Sequence, residues 1–181
     1  MLRFSISKLK AIQAKIASQV KIENGFALSE VKKIAGFDLA FFEEMCAAVV
    51  VEFPSMTVVE KKHVVTKCPM NYIPGFLAFR EGPPILQAYY DLEAEPDILM
   101  VDGHGIAHAL KCGLATYVGV EIGKPVIGVA KNLLVGNVQG EDIMVEGELR
   151  GKAVQTRPYA KPVYVSPGHL ITVETAAKIV R

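Results

Sequence analysis

The chain has 181 residues, 51% of them hydrophobic and 22% charged, with a formal net charge of +1. That length suffices for one buried core, the composition excludes a disordered chain, and no apolar run approaches the roughly 20 residues of a membrane span. The near-zero charge lacks the basic excess of a simple nucleic-acid binder, so any such role must rest on local charge. Cys46, Cys68 and Cys112 are odd in number, lie in apolar company and form no CxxC pair, so they read as reduced packing residues. Lys8, Lys10 and Lys15 interrupt the N-terminus, which lacks the continuous apolar stretch of a signal peptide. A cytoplasmic, monomeric protein with one domain spanning 1–181 is the expectation.

Ile6, Leu9, Ile12, Ile16 and Val20 recur at helical spacing and predict an opening helix, with Lys8 and Lys15 on another face as a solvated or phosphate-facing surface. Three strand-like runs follow: Ile34 to Phe42, Met45 to Phe53 and Met56 to Lys67. The short breaks between them, Glu43-Glu44 and Pro54-Ser55, predict an antiparallel meander. Pro74-Gly75 marks a turn before a further strand-like run, Phe76 to Arg80. Pro83-Pro84 then suits the start of a helix over Ile85 to Glu93. From Asp97 the pattern alternates: Ile98 to Val101 as an apolar strand, Gly105 to Tyr117 as a helix, Pro125 to Ala130 as another apolar strand, a texture typical of buried parallel strands. Glu148 to Thr156 and Lys161 to Ser166 add two strands, the second ending at Pro167-Gly168-His169 before a final helix from Leu170. The fold class expected is α/β, a mixed sheet flanked by helices.

Asp38 stands in the middle of an apolar strand, where a buried charge costs several kcal/mol unless compensated. Asp102 repeats the pattern at the carboxyl end of Ile98 to Val101, where ligands collect in open α/β sheets. Glu81 follows a strand-like run and could face the other two from a sheet edge. Each alone is equally well a cap or an ion-pair partner. Clustered carboxylates raise one another's pKa unless a hard cation neutralises them, and magnesium, with oxygen ligands, retained waters and affinity for phosphate, suits such a trio. The chemistry expected is attack of a metal-activated water on phosphorus. Gly103 and Gly105 bracket His104 at a strand-to-helix turn, where backbone amides approach a ligand closely, although Gly-x-Gly alone is weak. His104 and His108 have the spacing of zinc ligands, but no third ligand is evident. Without further context Lys131 and His169 read as ordinary surface residues.

The segments Ile34-Ala35-Gly36-Phe37-Asp38, Tyr72 through Pro83, Asp102-Gly103-His104-Gly105-Ile106-Ala107-His108, Gly128-Val129-Ala130-Lys131 and Pro162 through His169 resemble, in order, the signature blocks of the endonuclease V family. The resemblance implies an RNase H-like fold and a DNA-repair endonuclease recognising inosine, the product of adenine deamination. It implies hydrolysis of the second phosphodiester bond 3′ to the lesion, leaving 3′-hydroxyl and 5′-phosphate ends, with magnesium replaceable by manganese. Inosine-containing RNA is a second candidate substrate, and no membrane partner is implied. By motif, Asp38, Glu81 and Asp102 are the catalytic, metal-binding carboxylates, with Lys131 and His169 beside the scissile group. Tyr72, Ile73, Pro74 and Gly75 form the wedge where the damaged base swings out, with Gly103, His104 and Gly105 also on the substrate side. The sequence departs from the pattern at Ala109-Leu110-Lys111 and at Asn71.

Overall fold

The computed structural model describes residues 5–40 and 45–181. The predicted break at Glu43-Glu44 and the strand end at Phe41-Phe42 lie outside the described residues. A nine-stranded sheet runs in the order β3-β2-β1-β4-β5-β9-β8-β7-β6. The meander is present as β1 (Lys33–Ala40), β2 (Met45–Glu52) and β3 (Val58–Val65), paired antiparallel. β4 (Ile98–Asp102) and β5 (Val126–Ala130) continue it in parallel with β1. β9 (Val163–His169) lies antiparallel to β5, followed outward by β8 (Glu148–Val154), β7 (Asp142–Val145) and β6 (Asn137–Gln139). The expected mixed sheet is therefore met, with β6 and β7 as an unforeseen outer hairpin.

Helices cover both faces. α2 (Leu77–Tyr90) and α3 (Leu114–Ile122) close a core with Phe37, Leu39, Cys46, Leu99 and Val101, while α4 (Val173–Val180) packs Ala176 and Ala177 against Ile34, Ile98, Ile127 and Val165 on the other. All three cysteines are buried and none forms a disulfide among the described residues, as expected of packing residues. Among the described residues no helix is long and apolar enough to cross a membrane.

Four boundaries differ from the sequence reading. α1 (Ile6–Ala17) buries Leu9, Gln13 and Ile16, leaving Ile6 and Ile12 exposed, so the inward stripe is narrower than the apolar repeat suggests. Phe76 to Arg80 is no strand. α2 begins at Leu77 and carries Pro83 and Pro84 inside it. Each proline removes a helical donor, a cost of about 3 kcal/mol in an isolated helix. Burial of Pro84, Ile85 and Ala88 against the sheet offsets it. α3 begins at Leu114 rather than Gly105, because the preceding amides are bonded elsewhere: Gly105 N–H donates to Ser166 Oγ (2.8 Å), Ile106 N–H to the Pro167 carbonyl (2.9 Å) and Gly113 N–H to the Gly105 carbonyl (3.1 Å). Finally, β9 runs through Pro167-Gly168-His169 and α4 starts only at Val173, with Thr172 as its cap.

Candidate active site

The parallel register of β1 and β4 pairs Ile34 with Ile98 and Phe37 with Val101, so Asp38 and Asp102 come level on adjacent strands. Neighbouring strands lie about 4.8 Å apart. Contrary to the expectation of a buried charge, Asp38 is exposed. Strand alternation explains it: Phe37 and Leu39 enter the core beneath α2 and α3, and Asp38 points to the opposite side. There it shares an open apolar trough of about 420 Å³ with Gly36, Met100, Asp102, Lys131 and Val163.

Glu81 is the buried member of the trio. It sits on α2 with 5% of its surface exposed, and its Oε1 has no hydrogen-bond partner among the described residues. Burial pushes its carboxyl up to about 7, Arg80 opposes the rise, and Asp102 and Asp38 add to it. Glu81 therefore feels both strand carboxylates. The Cys46 thiol reports the same neighbourhood: burial, then Asp38 and Glu81, lift it to about 12 and keep it protonated. Lys131 Nζ lies 3.2 Å from Asp102 Oδ2, and this hydrogen bond, with the charges of Asp102 and Asp38, raises the lysine pKa.

The donors suit a hard divalent cation: three carboxylates in mutual electrostatic reach, one with an orphaned buried oxygen. Among the described residues no three His, Cys, Asp or Glu groups stand close enough together to hold a metal ion as they are. The charge is instead relieved by Lys131 on Asp102 and by the ease of protonating Glu81. Closure on an ion would exchange both for the metal charge.

Asp102 and Lys131 also form a wall of a second cavity, about 310 Å³, with Tyr72, Gly75, Gly103 and His104. That is near the lower limit for ligand pockets and suits one planar base better than a whole nucleotide. Tyr72 is exposed at its mouth. The Phe76 N–H donates to the Ile73 carbonyl (3.0 Å) and Gly75 has φ +82°, a turn with Pro74 and Gly75 at its centre that only glycine closes cheaply. Ile73 packs beside Leu9, Met70 and Phe76. Two buried side chains, unforeseen from sequence, hold the turn: Gln13 Nε2 donates to the Gly75 carbonyl (2.8 Å), and His108 Nε2 lies 3.1 Å from the same oxygen. His108 Nδ1 accepts from Leu110 N–H (3.1 Å), so its proton sits on Nε2, and burial lowers its pKa. His108 is thus a structural anchor. Behind it, buried Arg150 donates to the His108 carbonyl (2.9 Å).

The glycines around His104 serve packing more than ligand approach. A Cβ on Gly105 would strike the Pro167 carbonyl oxygen. His104 Nε2 is 2.9 Å from the Asn132 carbonyl, and burial lowers its pKa. His169 is not brought to the carboxylates. It pairs with Val126, three residues before Val129, the partner of Asp102, which is roughly 10 Å of strand. Its Nδ1 accepts from Lys21 N–H (3.3 Å), beneath α3. The apolar lining from Leu77, Ala78, Cys112, Leu114, Leu133 and Leu134 had no signal in the sequence, because it assembles from separate segments.

The family profile of Endonuclease V matches residues 14–181. Among curated relatives, an Endonuclease V of Thermofilum pendens is 43% identical over 185 residues, covering 98% of this chain and 79% of that protein. One of Archaeoglobus fulgidus is 37% identical over 188 residues, covering 100% and 85%. Human ENDOV superposes with a TM-score of 0.88 at 27% identity, covering 97% of this chain and 88% of that one. Ciona intestinalis Endonuclease V, solved with a 24mer DNA containing an inosine followed by a ribo-adenosine, superposes with a TM-score of 0.89 at 31% identity, covering 96% and 87%. With both its sequence and its fold matching, the chain belongs to the Endonuclease V family.

Proposed function

We propose that this protein is a magnesium-dependent endonuclease that recognises inosine in DNA and hydrolyses the second phosphodiester bond on its 3′ side, leaving 3′-hydroxyl and 5′-phosphate ends. Inosine-containing RNA is a second substrate to be measured beside it. The observation that carries the reading is the buried Glu81 carboxylate, its Oε1 without a hydrogen-bond partner among the described residues, coupled to Asp38 and Asp102 next to a cavity sized for one base.

Asp38, Asp102 and Glu81 would hold magnesium, or manganese in its place. The ion would supply Lewis acidity at the phosphate and lower the pKa of water. The protein's own groups do the rest. Tyr72, on its rigid turn, stacks into the gap a displaced base leaves, and the base enters the cavity beside Gly75, Gly103 and His104; unstacking costs a few kcal/mol, least at a weakened pair. Gln13 and His108 keep that turn in place. Lys131 meets a phosphate at the sheet edge. Glu81, whose carboxyl burial raises to about 7 in the metal-free protein, would give up that proton when the ion binds.

The test is a nicking assay on end-labelled strands carrying one inosine, in DNA and in RNA, with magnesium, manganese or EDTA. Cleavage at the second bond 3′ to inosine, absent in EDTA and lost in folded Asp38→Asn and Asp102→Asn proteins, is the expected result. Undiminished cutting by either variant would remove the metal site, and cutting without regard to inosine would remove the lesion specificity.

A further inference from the structure

Beyond the carboxylates and the base cavity, the residues between β8 and β9 carry a feature that neither uses. β9 pairs Tyr164 with Ala130, so the segment 155–162 enters β9 at the sheet edge that bears Asp102 and Lys131. Val163, the first residue of β9, lines the trough of Asp38, Asp102 and Lys131. Along this edge successive strands present Asp38 on β1, Asp102 on β4, Lys131 after β5, and then Arg157 to Lys161 before β9. The charge runs from acidic to basic.

The segment is a tight, fixed turn. Ala160 N–H donates to the Arg157 carbonyl (3.2 Å) and Gln155 Nε2 to the Ala160 carbonyl (3.1 Å), with Pro158 and Pro162 restricting the backbone further. At its tip Tyr159 has φ +62° and 103% exposure. A bulky side chain in the left-handed region is strained, and a fully exposed ring gains nothing from the core; such outliers persist at contact sites. Lys131 is paired to Asp102, Lys152 to Asp142 and Arg181 to Glu141, whereas Arg157 and Lys161, both exposed, have no carboxylate partner among the described residues. One stacking surface between two unneutralised cations is the composition of a single-strand platform.

Building on the proposed nuclease function, we propose that residues 155–162 clamp an unpaired stretch of the substrate strand beyond Lys131. Tyr159 stacks on a base, and Arg157 and Lys161 pair with the phosphates on either side. The clamp offsets the repulsion that the carboxylates exert on the same strand.

The test measures binding of a labelled single strand carrying one inosine to the full chain in EDTA, across a salt series, by fluorescence polarisation. Tyr159→Ala is expected to weaken binding roughly tenfold while Tyr159→Phe stays within about twofold, the range expected for loss and retention of one stacked base. Arg157→Ala with Lys161→Ala is expected to flatten the salt slope by about 1.4, at about 0.7 for each lost phosphate contact. These side chains are exposed, so circular dichroism should match the parent. Equal affinity and salt slope in parent and variants would overturn the clamp and leave the nuclease reading intact. A parent that binds no nucleic acid would overturn both. Self-association that Tyr159→Ala abolishes would assign the ring to a contact between copies and overturn the clamp.

Discussion

Replacing Glu81 with glutamine should stabilise the metal-free protein, and by more as the pH rises. The carboxyl titrates at its ordinary 4.5 in the unfolded chain and at about 7 in the folded one, chiefly through burial, with Asp102 and Asp38 adding and Arg80 opposing. Between these values the folded state keeps a proton that the unfolded state has released. Stability contributed by this group is therefore highest below about 4.5, falls through the window and levels off above about 7. At about 1.4 kcal/mol per decade the loss is on the order of 3 kcal/mol. Glutamine has the same shape and no charge, so other titrating groups cancel in the difference between the two proteins. Urea unfolding in EDTA from about pH 5 to about pH 8 should show the parent losing about 2–3 kcal/mol relative to Glu81→Gln. Magnesium should restore the parent at the alkaline end and stabilise the variant, which keeps only Asp38 and Asp102, by clearly less. Parallel stability curves for the two proteins would refute the burial argument, and an equal magnesium response would refute the ligand assignment.

Gly105→Ala should lower stability by about 1–3 kcal/mol, read from the thermal midpoint, because its Cβ collides with the Pro167 carbonyl and a strand must shift. An unchanged midpoint would mean that the 103–113 segment yields easily. Arg150→Met should cost about 1–3 kcal/mol in a denaturant titration: the arginine is 3% exposed and its donor satisfies the His108 carbonyl, which methionine would leave unpaired. His108→Ala removes one of two donors to the Gly75 carbonyl, so KM for an inosine strand should rise about tenfold while kcat stays within about twofold. A fall in kcat alone would place His108 in the chemical step instead.

Asp38 and Asp102 were legible in the sequence because a carboxylate interrupting or ending an apolar strand is a local signal, and the parallel register then sets them side by side. Their setting was less legible. Apolar residues surround Asp38 along the strand, yet the face it occupies is open, and only tertiary packing decides which face a helix covers. The sequence points to Glu81 at the end of a strand, because Phe76, Leu77, Ala78 and Phe79 make too short an apolar run to separate strand from helix and the proline pair favours a helix start. Packing overrode that signal, moving Glu81 inside a helix and under cover. His169 shows the opposite failure: adjacency in a motif says nothing of which end of a strand a residue occupies, and β9 carries it away from the edge where β5 ends. Gln13 and Arg150 had no local signal, since their partners are 62 and 42 residues away in the chain.

The two aspartates are locked together by the hydrogen-bonded ladder of β1 and β4, whereas Glu81 rides on a helix whose Phe79 and Arg80 carbonyls lose their usual donors to Pro83 and Pro84. The sheet half of the trio is stiff, and the helical half lacks two backbone bonds and leans more on side-chain packing. An ion shared among them would weld these parts into a single cooperative unit. Amide hydrogen exchange in 77–82 should then slow with rising divalent concentration, while the amides of β1 and β4 keep their rates.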